Sequence, residues 1–308
     1  MFKRIKSILG EQCWGIGLTQ PITFDGANIK LTNIKWIKGI PRDRWYADPF
    51  IVKEDQNNIK ILAEEYRFND KIGTITELTI NKKNNRIISI KDVLRLSTHL
   101  SFPLLFKDGS NTYLCPENYE SGKWTAYKYD VDNGVVGSPI VLINKPLVDA
   151  TCIKVGNKYY VFGTMYSNDF RNGARDLYIY VASNFDGPYE LSQTIKFDHA
   201  IARGAGAIIQ QHSKMIMPTQ NCDNTYGKEV IFNNLYFQDG QFQLSEIARI
   251  LPNKLSRYGL GIHTYNQNQN IAVVDGIRYR YGIIASIASI IYQFTVNVRN
   301  ILFRRHTH

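Results

Sequence analysis

Trp45-Tyr46-Ala47-Asp48-Pro49-Phe50-Ile51-Val52, a polar turn over residues 53–58, and Ile59-Lys60-Ile61-Leu62-Ala63-Glu64-Glu65-Tyr66 decide how this chain folds. A small or acidic residue leads into an apolar pair, the chain turns through polar side chains, and a second apolar run returns to end on carboxylates. That is the pattern of a β-hairpin with functional groups gathered at one end.

The same pattern recurs down the sequence. His99-Leu100-Ser101-Phe102-Pro103 opens Leu104-Leu105-Phe106, and Thr112-Tyr113-Leu114-Cys115-Pro116-Glu117 returns. Val148-Asp149-Ala150 opens Thr151-Cys152-Ile153, and Tyr159-Tyr160-Val161-Phe162-Gly163 returns. Ala202-Arg203-Gly204-Ala205-Gly206 opens Ala207-Ile208-Ile209, and Met215-Ile216-Met217-Pro218-Thr219-Gln220 returns. A shorter copy pairs Gly261-Ile262-His263-Thr264-Tyr265 with Ile271-Ala272-Val273-Val274-Asp275. The intervals between leaders, roughly 46 to 60 residues, suit one four-stranded blade per unit and predict an all-β, five-bladed propeller over residues 12–276. Trp14-Gly15-Ile16-Gly17-Leu18 stands ahead of the first unit and is expected to complete the last blade, closing the ring and covering its edge. Ile34, Trp36 and Ile37 are expected to form an outer strand against the first blade. In such a ring the leaders Asp48, His99 with Ser101, Asp149, Arg203 and His263 converge at one mouth of the axis.

The chain has 308 residues, 44% of them hydrophobic, with 19 Tyr and 15 Phe, a composition suited to half-buried strands. Its net charge of +10 favours anionic partners, but cationic and aromatic residues do not interleave along one strand face, which argues against nucleic acid. Cys13, Cys115, Cys152 and Cys222 lie far apart without a CxxC, so reduced, buried thiols in a cytosolic protein are expected. Residues 1–10 are basic but lack the apolar core of a secretory signal.

Residues 277–308 differ in kind. Residues 282–298 carry no charge, and basic residues flank them. Ser286, Ser289, Gln293, Asn297 and Asn300 recur at steps of three and four, opposite Ile284, Ile287, Ile291, Phe294 and Val298. A C-terminal amphipathic helix lying on an anionic membrane surface is expected; the same pattern also suits a helix packed on the propeller's outer wall.

Three carboxylates, Asp48, Asp149 and Glu117, stand at blade leaders or at the ends of returning strands, with Glu64 and Glu65 beside them. Chemistry at an anomeric carbon uses an acid for the leaving oxygen and a base or nucleophile for the attacker, and carboxylates from different blades can supply both. Asp also caps turns, which leaves a structural role open for Asp48 and Asp149. His99, Arg203 and His263 favour an anionic or phosphate-bearing ligand, with a structural role near the axis left open for His263; Gln220 and Tyr226 can add hydroxyl recognition, and Ser101 and Glu65 are further substrate-binding candidates. Asp130-Val131-Asp132 runs into Asn133-Gly134 and reads as a hairpin turn rather than a metal motif. Neither a phosphate-binding loop nor a metal pair is evident, so no cofactor or metal is expected.

Ala47-Asp48-Pro49-Phe50 with Glu64-Glu65, His99 to Pro103 with Pro116-Glu117, Val148-Asp149-Ala150 with Phe162-Gly163, Gln220-Asn221-Cys222 with Tyr226-Gly227, and Leu260-Gly261-Ile262-His263-Thr264 occur here in order. In this the chain resembles the N-terminal propeller module of glucosamine inositolphosphorylceramide transferases and their bacterial stand-alone relatives, which in turn resembles the propellers of glycoside hydrolase family 43. The resemblance implies a base at Asp48 and an acid-tuning carboxylate at Asp149. The acid Glu of the hydrolases, which follows the second Asp, has no clear match here, since Glu117 precedes it. The family's Gln-Asp-Cys reads Gln220-Asn221-Cys222.

The expectation is a glycosyltransferase of bacterial surface-polysaccharide assembly, cytoplasmic and peripheral at the inner face of the plasma membrane. It would move sugar from a nucleotide-sugar donor to a lipid-linked or glycan acceptor. A family 43-like hydrolase of furanose or pentose glycosides and a non-catalytic glycan-binding propeller are the alternatives.

Overall fold

The structure, a computed structural model, describes residues 10–24, 31, 33–211 and 213–281. Strands β1 (Gly10–Thr19) and β2 (Lys35–Trp36) open the chain. The first blade follows as β3 (Arg44–Glu54), β4 (Asn58–Arg67), β5 (Gly73–Asn81) and β6 (Arg86–Leu94). The second is β7 (Ser101–Asp108), β8 (Asn111–Glu117), β9 (Trp124–Asp130) and β10 (Val135–Ile143); the third is β11 (Leu147–Val155), β12 (Lys158–Met165), β13 (Asp176–Ala182) and β14 (Glu190–Lys196). The fourth is β15 (Ile209–Gln211), β16 (Lys214–Asn221), β17 (Glu229–Gln238) and β18 (Gln241–Ile250). The fifth takes β19 (Tyr265–Gln267) and β20 (Ala272–Tyr281) from late in the chain and β1 and β2 from its start, in the order β19-β20-β1-β2.

The five-bladed propeller is thus present, and an N-terminal strand completes its last blade. Two placements differ from expectation. Lys35–Trp36 is the outermost strand of the fifth blade, paired with Gly17 and Leu18; the segment meets the first blade just after it, where Ile37 is buried against Tyr46 and Ile61 and Lys38 bridges to Arg86. Gly17 explains the choice, because a side chain there would collide with Ile34 and Trp36, which lie against the strand instead. Residues 277–281, expected in the C-terminal helix, continue strand β20; the rest of that helix, residues 282–308, lies outside the described residues. Among the described residues no helix is long and apolar enough to cross a membrane.

Trp14–Gly276 form one compact unit; of the described residues, 10–13 and 277–281 belong to a second. Within the first, five buried clusters fill the seams between neighbouring blades. Leu62 and Ile75 meet Leu100 and Leu114 between the first two, and Cys115 and Trp124 meet Leu147 and Val161 between the next two. Phe162 meets Phe242 and Met217, Phe232 meets Tyr265, and Ile16 and Val273 meet Tyr46 and Ile61 to complete the circuit. All four cysteines are free and buried. The Asp130 to Gly134 stretch is a turn, with Asp130 Oδ1 accepting the N–H of Asp132 and Asn133 at 3.0 Å.

Each of the first three blades carries the same irregularity in its inner strand. Between Ala47 and Phe50, Ser101 and Leu104, and Val148 and Thr151 one extra residue is inserted relative to the partner strand. In each bulge a non-glycine residue takes the left-handed backbone: Asp48 (φ 49°), Phe102 (φ 42°) and Asp149 (φ 44°). Such bulges re-aim a side chain at the end of a strand, and this one recurs where the sequence repeat places its leaders.

Candidate functional site

The bulges set the site, because each turned amide finds a carboxylate of the preceding blade. Asp48 N–H donates to Asp275 Oδ2 at 3.1 Å, Phe102 N–H to Asp48 Oδ2 at 3.1 Å, and Asp149 N–H to Glu117 Oε2 at 2.9 Å. Asp275 Oδ1 also accepts the N–H of His263 and of Thr264, each at 3.0 Å.

Two linked groups result. In the first, His263 Nδ1 lies 2.6 Å from Asp275 Oδ2 and 3.8 Å from Asp48 Oδ1, and the Thr264 hydroxyl donates to Asp48 Oδ1 at 2.6 Å. Trp14 stacks on the His263 ring at 3.8 Å, and Tyr226 meets it edge-on at 5.4 Å. Burial opposes charge on His263, but the Asp275 and Asp48 carboxylates outweigh it and push the imidazole up to about 9. Burial pushes Asp48 up to about 7, against the pull of His263. Asp48, His263 and Asp275 offer donor atoms within 4.8 Å of one another, a spacing that suits a metal ion. Their hydrogen bonds and the ion pair account for that closeness, since both oxygens of each carboxylate are engaged.

In the second group Arg203 is the hub. Its Nε donates to Asp149 Oδ2, its Nη2 lies 3.9 Å from Glu117 Oε2, and its guanidinium stands 5.0 Å over the Tyr226 ring. Gln220 Nε2 donates to Asp149 Oδ2 and to Gly204 O, both at 2.7 Å. Gly204 has to be glycine, because a Cβ there would come within 2.2 Å of Asp149 O. Burial, reinforced by the Asp149 charge and opposed by Arg203, holds Glu117 well above the usual carboxylate range. That shift favours the protonated carboxyl, the form a general acid needs. Glu117 and Arg203 face a cleft of ≈ 240 Å³. Tyr119 and Tyr166, stacked at 4.0 Å and 3° apart, and Phe170 wall it. Flat aromatic faces beside an acid and a cation suit a sugar ring with an anionic substituent.

The ring brings together Asp48, Asp149, Glu117, Arg203, Gln220, Tyr226 and His263. His99 joins from the side: its Nε2 lies 3.2 Å from Glu64 Oε1, and its Nδ1 accepts the Gly73 N–H at 3.0 Å. Ser101 is buried at the foot of β7, opposite Glu117. Glu65 is apart from the group: successive strand residues face opposite ways, and its oxygens are taken by Tyr46 OH, Arg44 and Arg67. Asn221 donates to the buried Glu229 Oε1 at 2.6 Å, so a carboxylate at 221 would oppose another. Asp275, Thr264 and Trp14 escaped the sequence reading. Asp275 had a signal, since it ends a returning strand just as Glu64 and Glu117 do. The walls of the cleft had none, because they sit in aperiodic connections.

The model of one family, described as glucosamine inositolphosphorylceramide transferase 1, N-terminal, matches residues 28–276. The rice (Oryza sativa subsp. japonica) protein named glucosamine inositolphosphorylceramide transferase 1 is 24% identical over 244 residues, covering 72% of this chain and 33% of that protein. The chain therefore spans about a third of the length of its rice relatives. An exo-β-1,3-galactanase from Phanerochaete chrysosporium shares the fold with a TM-score of 0.54 at 13% identity, over 69% of this chain and 54% of that one. A GH43 β-1,3-galactosidase gives the same TM-score of 0.54 at 8% identity, over 69% and 81%.

Proposed function

Since the chain belongs to the glucosamine inositolphosphorylceramide transferase 1 N-terminal family, we propose that it is a carbohydrate-active enzyme that transfers a sugar from an activated, phosphate-bearing donor. The observation that carries this reading is the cleft in which Glu117, its carboxyl held up by burial, and cationic Arg203 stand 3.9 Å apart with the Tyr119–Tyr166 pair on the same wall. A nucleotide sugar is the donor class, with its phosphates toward Arg203. In the step, the acceptor oxygen bonds to the anomeric carbon as the bond to the leaving phosphate oxygen breaks. The acceptor proton passes to a carboxylate, Asp149 or Asp48, and Glu117 donates to the leaving group. Asp48 is the weaker base of the two by geometry, with both oxygens occupied by Phe102 N–H and the Thr264 hydroxyl. The finer reading is assembly of a bacterial surface polysaccharide on a lipid-linked or glycan acceptor at the inner membrane, with no cofactor.

A second reading, a family 43-like hydrolase, is favoured by the same buried Glu117 beside Asp149, an acid next to a carboxylate that raises it. Incubating the purified chain with a panel of nucleotide sugars and lipid-linked acceptors separates the two. Transfer that Glu117→Gln abolishes supports the first, and release of free sugar from aryl pentosides without acceptor supports the second. Binding of glycan with no turnover on either panel would refute both and leave a glycan-binding propeller.

A further inference from the structure

Single apolar side chains face solvent on the outer strands, Ile88, Val135 and Leu191 among them, as is common on monomer surfaces. The connection from β18 to β19 is different. Within residues 251–260 Leu251 is 66%, Leu255 97% and Leu260 46% exposed. Exposed Lys254 and Arg257 stand between them. Among the described residues neither cation has a carboxylate partner; Arg257 lies only over the Tyr258 ring, at 5.5 Å.

The loop is pinned from behind. Ser256 N–H donates to Asn253 O at 2.8 Å and Leu255 N–H to Asn253 Oδ1 at 3.0 Å. Trp36 Nε1–H donates to Ser256 Oγ at 2.7 Å, and buried Tyr258 packs on Trp36 with ring centroids 4.7 Å apart. A braced turn thus holds up a leucine that touches almost nothing of its own protein.

We propose that residues 251–260 are a membrane-docking loop, whose leucines enter the interface of an anionic bilayer while Lys254 and Arg257 engage its headgroups. Exposed apolar side chains interleaved with unpaired cations match the two attractions such a surface offers, hydrocarbon burial and headgroup charge. The net charge of +10 draws the chain toward the same surface. Topology fixes the orientation. The inner strands begin at the leader end, so a connection from the outermost strand of one blade to the innermost of the next lies on the leader face. The connections from second to third strands, which carry Tyr119, Tyr166 and Phe170, lie on that face too. Docking through the loop therefore turns the cleft toward lipid. The inference stands on the loop itself and is independent of the sugar-transfer reading.

The test uses the full chain and vesicles of phosphatidylcholine with and without phosphatidylglycerol, read by co-sedimentation. Leu251→Ser with Leu255→Ser is expected to weaken binding to anionic vesicles about 10–100-fold, and Lys254→Glu with Arg257→Glu about 10-fold or more. Thermal unfolding of both variants should match the wild type, since the substituted side chains are exposed. Other parts of the chain can also meet a bilayer, so Leu255→Trp supplies the local readout: its added emission should shift to the blue on vesicles and be quenched by brominated acyl chains. Failure of the wild type to bind, undiminished binding by the serine variant, or no quenching of the Leu255→Trp emission would each overturn the proposal.

Discussion

Removal of the Asp275 carboxylate is expected to open the ring. Its Oδ1 holds two amides of the fifth blade, and its Oδ2 holds the Asp48 amide of the first blade and the His263 imidazolium, all of them buried. Asp275→Ala strands three buried N–H groups and one cation. Breaking a buried ion pair from one side costs roughly 3–5 kcal/mol, and a stranded N–H about 1–3 kcal/mol. His263 recovers part of this by shedding its proton, so a net loss of about 4–6 kcal/mol is expected. That approaches the whole stability of an ordinary domain. Asp275→Asn keeps an acceptor for the His263 and Thr264 amides but turns an NH2 toward Asp48 N–H or the imidazole, and should lose about half as much. Urea unfolding at neutral pH, followed by Trp emission, measures both, because Trp14 stacks directly on His263. Asp132→Ala, which removes an exposed partner of Lys53, serves as the control with an unchanged midpoint. If Asp275→Asn unfolds at the same urea concentration as that control, the carboxylate does not tie the blades together.

Three further outcomes follow from the site. His263, raised from 6.5 to about 9, contributes stability that is complete below 6.5 and drains away as the pH rises through about 9, and Asp48, raised from 3.8 to about 7, acts in the same direction at lower pH. Urea midpoints should therefore fall from about pH 6 to about pH 9.5, and His263→Gln should flatten that decline. Glu117→Gln mimics the protonated acid and can still accept the Asp149 N–H, so it should unfold like the wild type while turnover drops about 10²–10⁴-fold; retained turnover would remove Glu117 from the chemistry. Asn221→Asp sets a second carboxylate against Glu229, in place of a 2.6 Å hydrogen bond, and should destabilise by about 2–4 kcal/mol at neutral pH and less in acid.

The fold was legible because a hairpin that begins with a polar leader repeats five times, ending on a carboxylate in three of them, and strand alternation carries that repeat into space. The same regularity announced Asp48, Asp149 and Glu117. It could not say how they would be spent. Arg203 reads alone in the sequence as a ligand-binding cation, yet folding sets it against Asp149, 54 positions away. Glu64 and Glu65 are indistinguishable as letters, and only the register of β4 sends one toward His99 and the other to Arg44 and Arg67. The position of Lys35–Trp36 was misread because a two-residue strand carries no period, and its blade is chosen by the gap that Gly17 leaves. The acid of the proposed chemistry was obscured by chain order, which the closed ring makes irrelevant to distance.

The kinked amides of the inner strands set a limit on how this architecture can change in evolution. Excising any of the first three blades would carry off a donor without its acceptor and leave an acceptor without its donor, so none of these three is a self-sufficient module here. Gaining or losing a blade by duplication or deletion would need both halves of a cross-seam bond to move together. Blade number is held by three side-chain locks as well as by strand twist, and lineages of this chain should vary in their outer strands and connections long before they vary in ring size.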